Sequence, residues 1–126
     1  MLAATDVADR VEVAAGSFFE SVPAGADLYL MRRILHDWMD GEATKILRCV
    51  RRSMRTDDRL LVIDGVVGPP NDDPLTKFLD LMMLVSAGGK ERTQAEWAAL
   101  LARGGLRLKR AMRATANSYV IEALPT

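Results

Sequence analysis

Cys49 is the only cysteine among 126 residues. No disulfide can therefore form within the chain, and a reducing setting suits it. No net charge is left over either: 17 basic residues face 17 acidic ones. That balance removes the overall electrostatic signal for nucleic acid or an anionic membrane surface. The apolar runs fall well short of the ~20 residues that a bilayer span needs. No signal peptide is visible, so a cytoplasmic location is expected. Repeats and low-complexity segments are lacking. So are a glycine-rich phosphate loop and the elbow motif of a serine nucleophile. One histidine and one cysteine make a poor ligand set, so metal is placed below acid–base chemistry and no metal ligand is assigned. What is there is enough for one domain with one modest core.

Along the chain, Met1 to Asp9 carries little pattern beyond a short helical tail. Arg10 to Ala15 alternates like a strand. Gly16-Ser17 punctuates, and the pair Phe18-Phe19 divides between core packing and a ligand contact. Ala26 to Met31 reads as a buried strand, and His36-Asp37-Trp38 follows it. From Asp40 to Arg55, an apolar stripe of Ala43, Ile46, Leu47, Val50 and Met54 predicts a helix. Its arginines 48, 51, 52 and 55 read as a solvated face that complements the helix dipole. Arg59 to Val67 holds a second buried strand that closes on Asp64-Gly65. A Gly/Pro/Asn/Asp loop leads to a helix over Leu75 to Ala87, where one of Met82 and Met83 is expected to fill the core.

Gly88-Gly89 reads as a helix stop and Lys90-Glu91-Arg92 as a charged loop. Thr93 with Glu96 makes a capping box for a helix over Gln94 to Arg103, which Gly104-Gly105 ends. Leu106 to Met112 and Ser118 to Leu124 form a hairpin. The order predicts an α/β domain: a mostly parallel sheet with a C-terminal antiparallel edge, covered by helices.

In such sheets ligands sit beyond the carboxyl ends of the strands. His36 follows one strand, Asp64 ends another, and Glu91 lies in a loop before a helix, so one rim is open to all three. A carboxylate that holds an imidazole makes it a good general base. The plainer reading is a histidine that caps a helix start or is satisfied at the surface.

Four segments occur in order: Gly16-Ser17-Phe18-Phe19, Leu35-His36-Asp37-Trp38, Leu61-Val62-Ile63-Asp64 and Gly88-Gly89-Lys90-Glu91-Arg92-Thr93. With the tail Asn117 to Ala123, they resemble the C-terminal half of S-adenosylmethionine-dependent O-methyltransferases of the plant caffeic acid type and their bacterial relatives. The resemblance covers nearly the whole chain and implies a partial Rossmann-like sheet with helices on both faces. It implies that His36 is the base that takes a proton from an acceptor hydroxyl, with Asp64 and Glu91 as the flanking acids. Asp64 stands where the family commonly has glutamate, and a shorter arm weakens that contact. Asp37 and Met82 would touch the acceptor. Ser17, Phe18 and Arg32 would touch the cofactor, Ser17 replacing a usual aspartate and Arg32 a frequent lysine.

The family's glycine-rich loop, its ribose-binding acid and its dimerisation region would all lie before Met1. Residues 1–126 would then be the C-terminal part of the catalytic domain, with weak or absent cofactor binding. The family orders its strands third, second, first, fourth, fifth, seventh, sixth. Arg10 to Ala15 would be the third, and Ala26 to Met31 the fourth, left as a bare edge. Such an edge invites a homodimer, a strand swap, or refolding of the Arg10 segment against it. Three functional readings follow: a methyltransferase acting on a small aromatic or natural-product hydroxyl, a non-catalytic fragment or split half that needs a partner chain, and a small α/β binding domain.

Overall fold

The computed structural model describes residues 7–126. Its sheet is built where β-branched and leucine residues run continuously. Strand β1 (Leu28–Arg32) lies parallel to β2 (Arg59–Asp64), with Tyr29 opposite Leu60 and Met31 opposite Val62. The C-terminal hairpin supplies β5 (Leu106–Thr115) and β6 (Ser118–Pro125), and β6 inserts antiparallel beside β2. The spatial order β1-β2-β6-β5 reproduces the expected fourth, fifth, seventh, sixth arrangement. The sheet is mixed and not mostly parallel, with one parallel pair and two antiparallel pairs, because the hairpin supplies two of its four strands.

Between β2 and the hairpin the chain makes a second, two-stranded ribbon. The strand expected to close on Asp64-Gly65 does end at Asp64, and after Gly65 the chain forms β3 (Val66–Val67), which pairs parallel with β4 (Arg92–Thr93).

Three helices accompany these strands. Helix α1 (Asp40–Ser53) turns Ala43, Ile46, Leu47 and Val50 into the core, and Met54 just past its end is buried with them. Arg48 and Arg51 reach the carbonyls of Arg103 and Gly105, so part of the arginine-rich face ties α1 to the segment that leads into β5. Helix α3 (Gln94–Arg103) carries the full capping box at Thr93 and Glu96, and buries Trp97, Leu100 and Leu101. Helix α2 (Pro74–Ser86) starts on an Asp73 cap, but Thr76 is its only buried residue. Neither Met82 nor Met83 fills the core: Met82 is 45% exposed and Met83 is half-buried.

Two expectations about the entry to the chain are corrected. Arg10 to Ala15 is no strand: a 3-10 turn at Ala8–Arg10 is followed by irregular, exposed backbone, with Val13 76% exposed. Alternation alone cannot hold a strand whose backbone groups find no partner. Nor does this segment fold back on β1, which stays at the sheet edge with Leu30 60% exposed. Whatever tail lies in Met1 to Asp6 falls outside the described residues.

Candidate active site

Strand β1 ends abruptly. Arg33 adopts a left-handed φ of 52° and donates its backbone N–H to the Ile63 carbonyl. The chain then curls into a 3-10 turn at Leu35–Asp37 that carries His36. Left-handed backbone is uncommon for a residue with a Cβ, and here it redirects the chain across the end of the sheet.

The imidazole is 5% exposed and lies between two buried acids. Its Nδ1 is 2.9 Å from Glu91 Oε1 and 3.3 Å from Asp64 Oδ1. The shorter contact belongs to the longer side chain, as the Asp64 arm length suggests. Nε2 points the other way, 3.4 Å from Asp37 Oδ1, whose side chain is 44% exposed. His36, Asp64 and Glu91 therefore converge at one rim, with Asp37 beside them.

Ribbon β3–β4 makes this convergence possible. Val66 pairs with Arg92, so the preceding residues Gly65 and Glu91 also face each other. A Cβ on Gly65 would lie 2.3 Å from Glu91 Oε2, so the carboxylate occupies the space that a side chain would fill. Gly89 is closer still: a Cβ there would fall 1.9 Å from the His36 carbonyl oxygen. The adjacent Lys90 N–H donates to that carbonyl at 2.9 Å. Thus Gly88-Gly89 is more than a helix stop, and Glu91 and Arg92 are buried rather than part of a solvated loop.

Electrostatics follow from burial and pairing. The hydrogen bond to Glu91 is the main reason that the imidazole pKa lies above 6.5, with Asp64, Glu91 and Asp37 adding attraction against the cost of burial. Burial pushes the Asp64 carboxyl up to about 6, against the pull of His36. Asp64 Oδ2 and Glu91 Oε2 are buried without a hydrogen-bond partner. With both acids ionised and the ring neutral, two charges would be left uncompensated, so the cluster favours holding a proton. One nitrogen and two carboxylate oxygens lie within 4.8 Å of one another, close enough for one divalent ion. An ion on Nδ1 would displace the proton that couples the ring to Glu91, so the two uses exclude each other.

The other anticipated residues lie around this cluster. Phe18 is 38% exposed and stands 5.1 Å from Phe19 and 6.5 Å from Trp38, ring centre to centre. Phe19 packs against the core, the first of the two roles expected of the pair, while Phe18 stays partly exposed. Phe18 and Arg32 line one open cavity of about 320 Å³ along β1, with Tyr29, Met31 and Ile34. Ser17 does not line it; its Oγ accepts the Phe19 N–H at 3.3 Å. Met82 is exposed on α2, outside the polar contacts of His36. Helix α2 does meet the site elsewhere, since Asp80 Oδ1 accepts the Glu91 N–H at 2.8 Å.

Residues 2–107 match the model of the O-methyltransferase domain. The chain belongs to that family. It is 45% identical over 114 residues to a mitomycin biosynthesis 6-O-methyltransferase of Streptomyces lavendulae, which covers 89% of this chain and 32% of that protein. A phenazine O-methyltransferase, PhzM of Lysobacter antibioticus, is 39% identical over 98% of this chain and 36% of its own length. Among solved structures, CalO1, a methyltransferase in calicheamicin biosynthesis in its SAH-bound form, superposes with a TM-score of 0.89 at 40% identity, covering 98% of this chain and 37% of CalO1. The chain thus spans about a third of the length of the curated relatives it matches. Among the described residues, no helix is long and apolar enough to cross a membrane.

Proposed function

We propose that this chain carries the proton-accepting side of an S-adenosylmethionine-dependent O-methyltransferase acting on a hydroxyl of a small aromatic or natural-product acceptor. Residues 1–126 are read as the C-terminal part of such a catalytic domain. The observation that carries this reading is the buried Nδ1–Oε1 contact of 2.9 Å, with Nε2 turned toward a half-exposed acid.

The Nδ1–H donates to the Glu91 carboxylate, which fixes the tautomer whose Nε2 lone pair is free to take a proton from the acceptor. Asp64 stabilises the imidazolium that results. A phenol with a pKa near 10 is within reach of such a base at hydrogen-bond distance. Asp37, at the open side, turns toward the acceptor. Phe18 and Arg32 suit the cofactor: an aromatic face stacks on a flat adenine, and a guanidinium pairs with a carboxylate. Bound there, S-adenosylmethionine supplies an electrophilic methyl group on a sulfonium for the acceptor oxygen. Two relatives named for O-methyl transfer in mitomycin and phenazine chemistry support the acceptor class.

The test is transfer of labelled methyl to a panel of aromatic hydroxyls, by this chain alone and with the remaining part of a relative supplied. His36→Ala should remove turnover by at least about a hundredfold, assayed well below the variant's own melting midpoint so that the fold is retained. Full activity in that variant would end the reading. As the base must be neutral, kcat/KM should rise with pH through a midpoint above 6.5.

A second reading has its own support, a split half that works only with another chain. Among the described residues strand β1 is the sheet edge, with Leu28 49% and Leu30 60% exposed, a geometry open to strand pairing. Light scattering that reports a monomer at every concentration would count against a homodimer or swapped pair.

A further inference from the structure

Arg92 is wholly buried, and the reaction described above makes no use of it. Its guanidinium spreads over four separate acceptors. Nη1 donates to the Leu35 carbonyl at 3.0 Å and, more weakly, to the Lys90 carbonyl at 3.4 Å. Nη2 donates to the Trp38 carbonyl at 2.8 Å, and Nε donates to Asp40 Oδ1 at 3.0 Å. The flat face lies 5.4 Å from the centre of the Trp97 ring. Trp97 in turn donates its Nε1–H to the Gly65 carbonyl at 2.9 Å.

Leu35 and Trp38 bracket His36. Lys90 and Arg92 itself bracket Glu91. Gly65 follows Asp64. One buried cation and the indole beneath it therefore touch the backbone on both sides of the base and next to each acid. The turn's own bonds, Asp37 N–H to Ile34 and Trp38 N–H to Leu35, are long at 3.2 and 3.3 Å, and the Lys90 N–H to the His36 carbonyl at 2.9 Å ties it from outside. A three-residue 3-10 turn with poor bonds does not fix a side chain by itself.

We propose that Arg92 is a positioning residue that sets the distance between the His36 imidazole and the Glu91 carboxylate by clamping the carbonyls on either side of the His36 turn. The inference rests on the proposed methyl-transfer reading only for its consequence in turnover. The clamp needs the planar fork of arginine. A lysine ammonium is a point charge and cannot span carbonyls on two segments together with Asp40. The charged groups that face the imidazole are Asp37 on its own turn, Asp64 from β2 and Glu91 from the segment before β4.

His36 is the only histidine, so its ring signals in a proton–carbon NMR spectrum need no assignment. Arg92→Lys keeps the charge and removes the fork. The expected result is a titration midpoint that falls toward the ordinary 6.5 as the Glu91 contact loosens, with the backbone spectrum otherwise folded. Asp40→Asn keeps the guanidinium and removes one anchor at a partly exposed position. It should shift the midpoint the same way by less, and the shift should persist in 1 M salt, where the direct field of an exposed acid is screened. Should Arg92→Lys fail to fold, Asp40→Asn decides. An unchanged midpoint in either folded variant overturns the clamp, whatever the methyl-transfer assay reports. A shifted midpoint in a protein whose wild type transfers no methyl group keeps the clamp and ends the functional reading. If both hold, Arg92→Lys should lose about tenfold or more in kcat with KM little changed.

Discussion

The turn that carries His36 and helix α2 are joined through Glu91 and Asp80, yet they are built in opposite ways. Around His36, short irregular segments are pinned by buried polar groups: Glu91, Asp64 and Arg92 are each at most 5% exposed. Along α2, regular backbone carries apolar side chains that find no cover, with Phe78 59%, Leu81 63% and Val85 87% exposed. Regular hydrogen bonding thus does not measure how firmly a region is held. Positions around His36 depend on a few contacts with nothing to spare. The exposed apolar positions on α2 make so few contacts in this chain that little is lost when one changes.

Gly89→Ala should give the largest effect. The added methyl would meet the His36 carbonyl at 1.9 Å and Asp37 backbone atoms at 2.7 and 2.8 Å. Backbone cannot step aside as the tip of a side chain can, so the loop and the turn must separate. A loss on the order of 3 kcal/mol is expected, measured by urea unfolding, together with a fall of the His36 titration midpoint. Gly65→Ala strikes Glu91 Oε2, the end of a side chain, at 2.3 Å. It should therefore cost less stability while still moving the carboxylate. If Gly89→Ala unfolds at the wild-type midpoint, the contrast between the two regions fails.

Much of this was legible in the residues. The stripe of α1, the capping box of α3 and the hairpin are local patterns, and the structure keeps them. The triad of His36, Asp64 and Glu91 was legible through short segments held in a fixed order. Arg92 was not, because the last of three consecutive charges, Lys90-Glu91-Arg92, reads as part of a solvated loop. Only ribbon β3–β4 turns it inward. Arg10 to Ala15 was misread because alternation reports two faces and says nothing of whether a neighbouring strand exists. Helix α2 was legible as a helix, but apolar composition cannot say whether another surface lies over it.

A smaller effect is the dependence of stability on pH. His36 and Asp64 both have raised pKa values in the fold, the first chiefly through its bond to Glu91 and the second through burial. The folded state therefore binds protons more tightly, and the slope of stability with pH is negative wherever the two states differ in protonation. The Asp64 contribution is full below 3.8 and is lost as pH rises through about 6. That of His36 is full below 6.5 and is lost as pH rises through its higher folded value. The acids with lowered values, such as Asp40 and Glu96, act below about 4.5 and pull the other way. Between these limits the urea midpoint should fall with rising pH. Asp64→Asn should flatten the lower part of that fall, and His36→Gln the upper part. A midpoint that climbs from pH 5 to pH 8 would show that the cluster prefers to lose its proton on folding.

The smallest effect belongs to α2. Leu84 is 59% exposed and Val85 is 87% exposed, so a polar side chain there forfeits little buried area. Leu84→Gln and Val85→Gln should each stay within about 0.5 kcal/mol of the parent in urea unfolding, and they should leave the His36 titration midpoint where it is. Thr76→Val on the same helix gives the internal control. Thr76 is 1% exposed, and its hydroxyl donates to Asp73 Oδ2 at 2.8 Å, so that change removes part of the cap that starts α2. It should cost about 1 kcal/mol. If the exposed pair proves as costly as Thr76→Val, then α2 is covered in solution by a surface that a single chain does not supply. The apparent looseness of this helix would then belong to the isolated chain and not to the assembled protein.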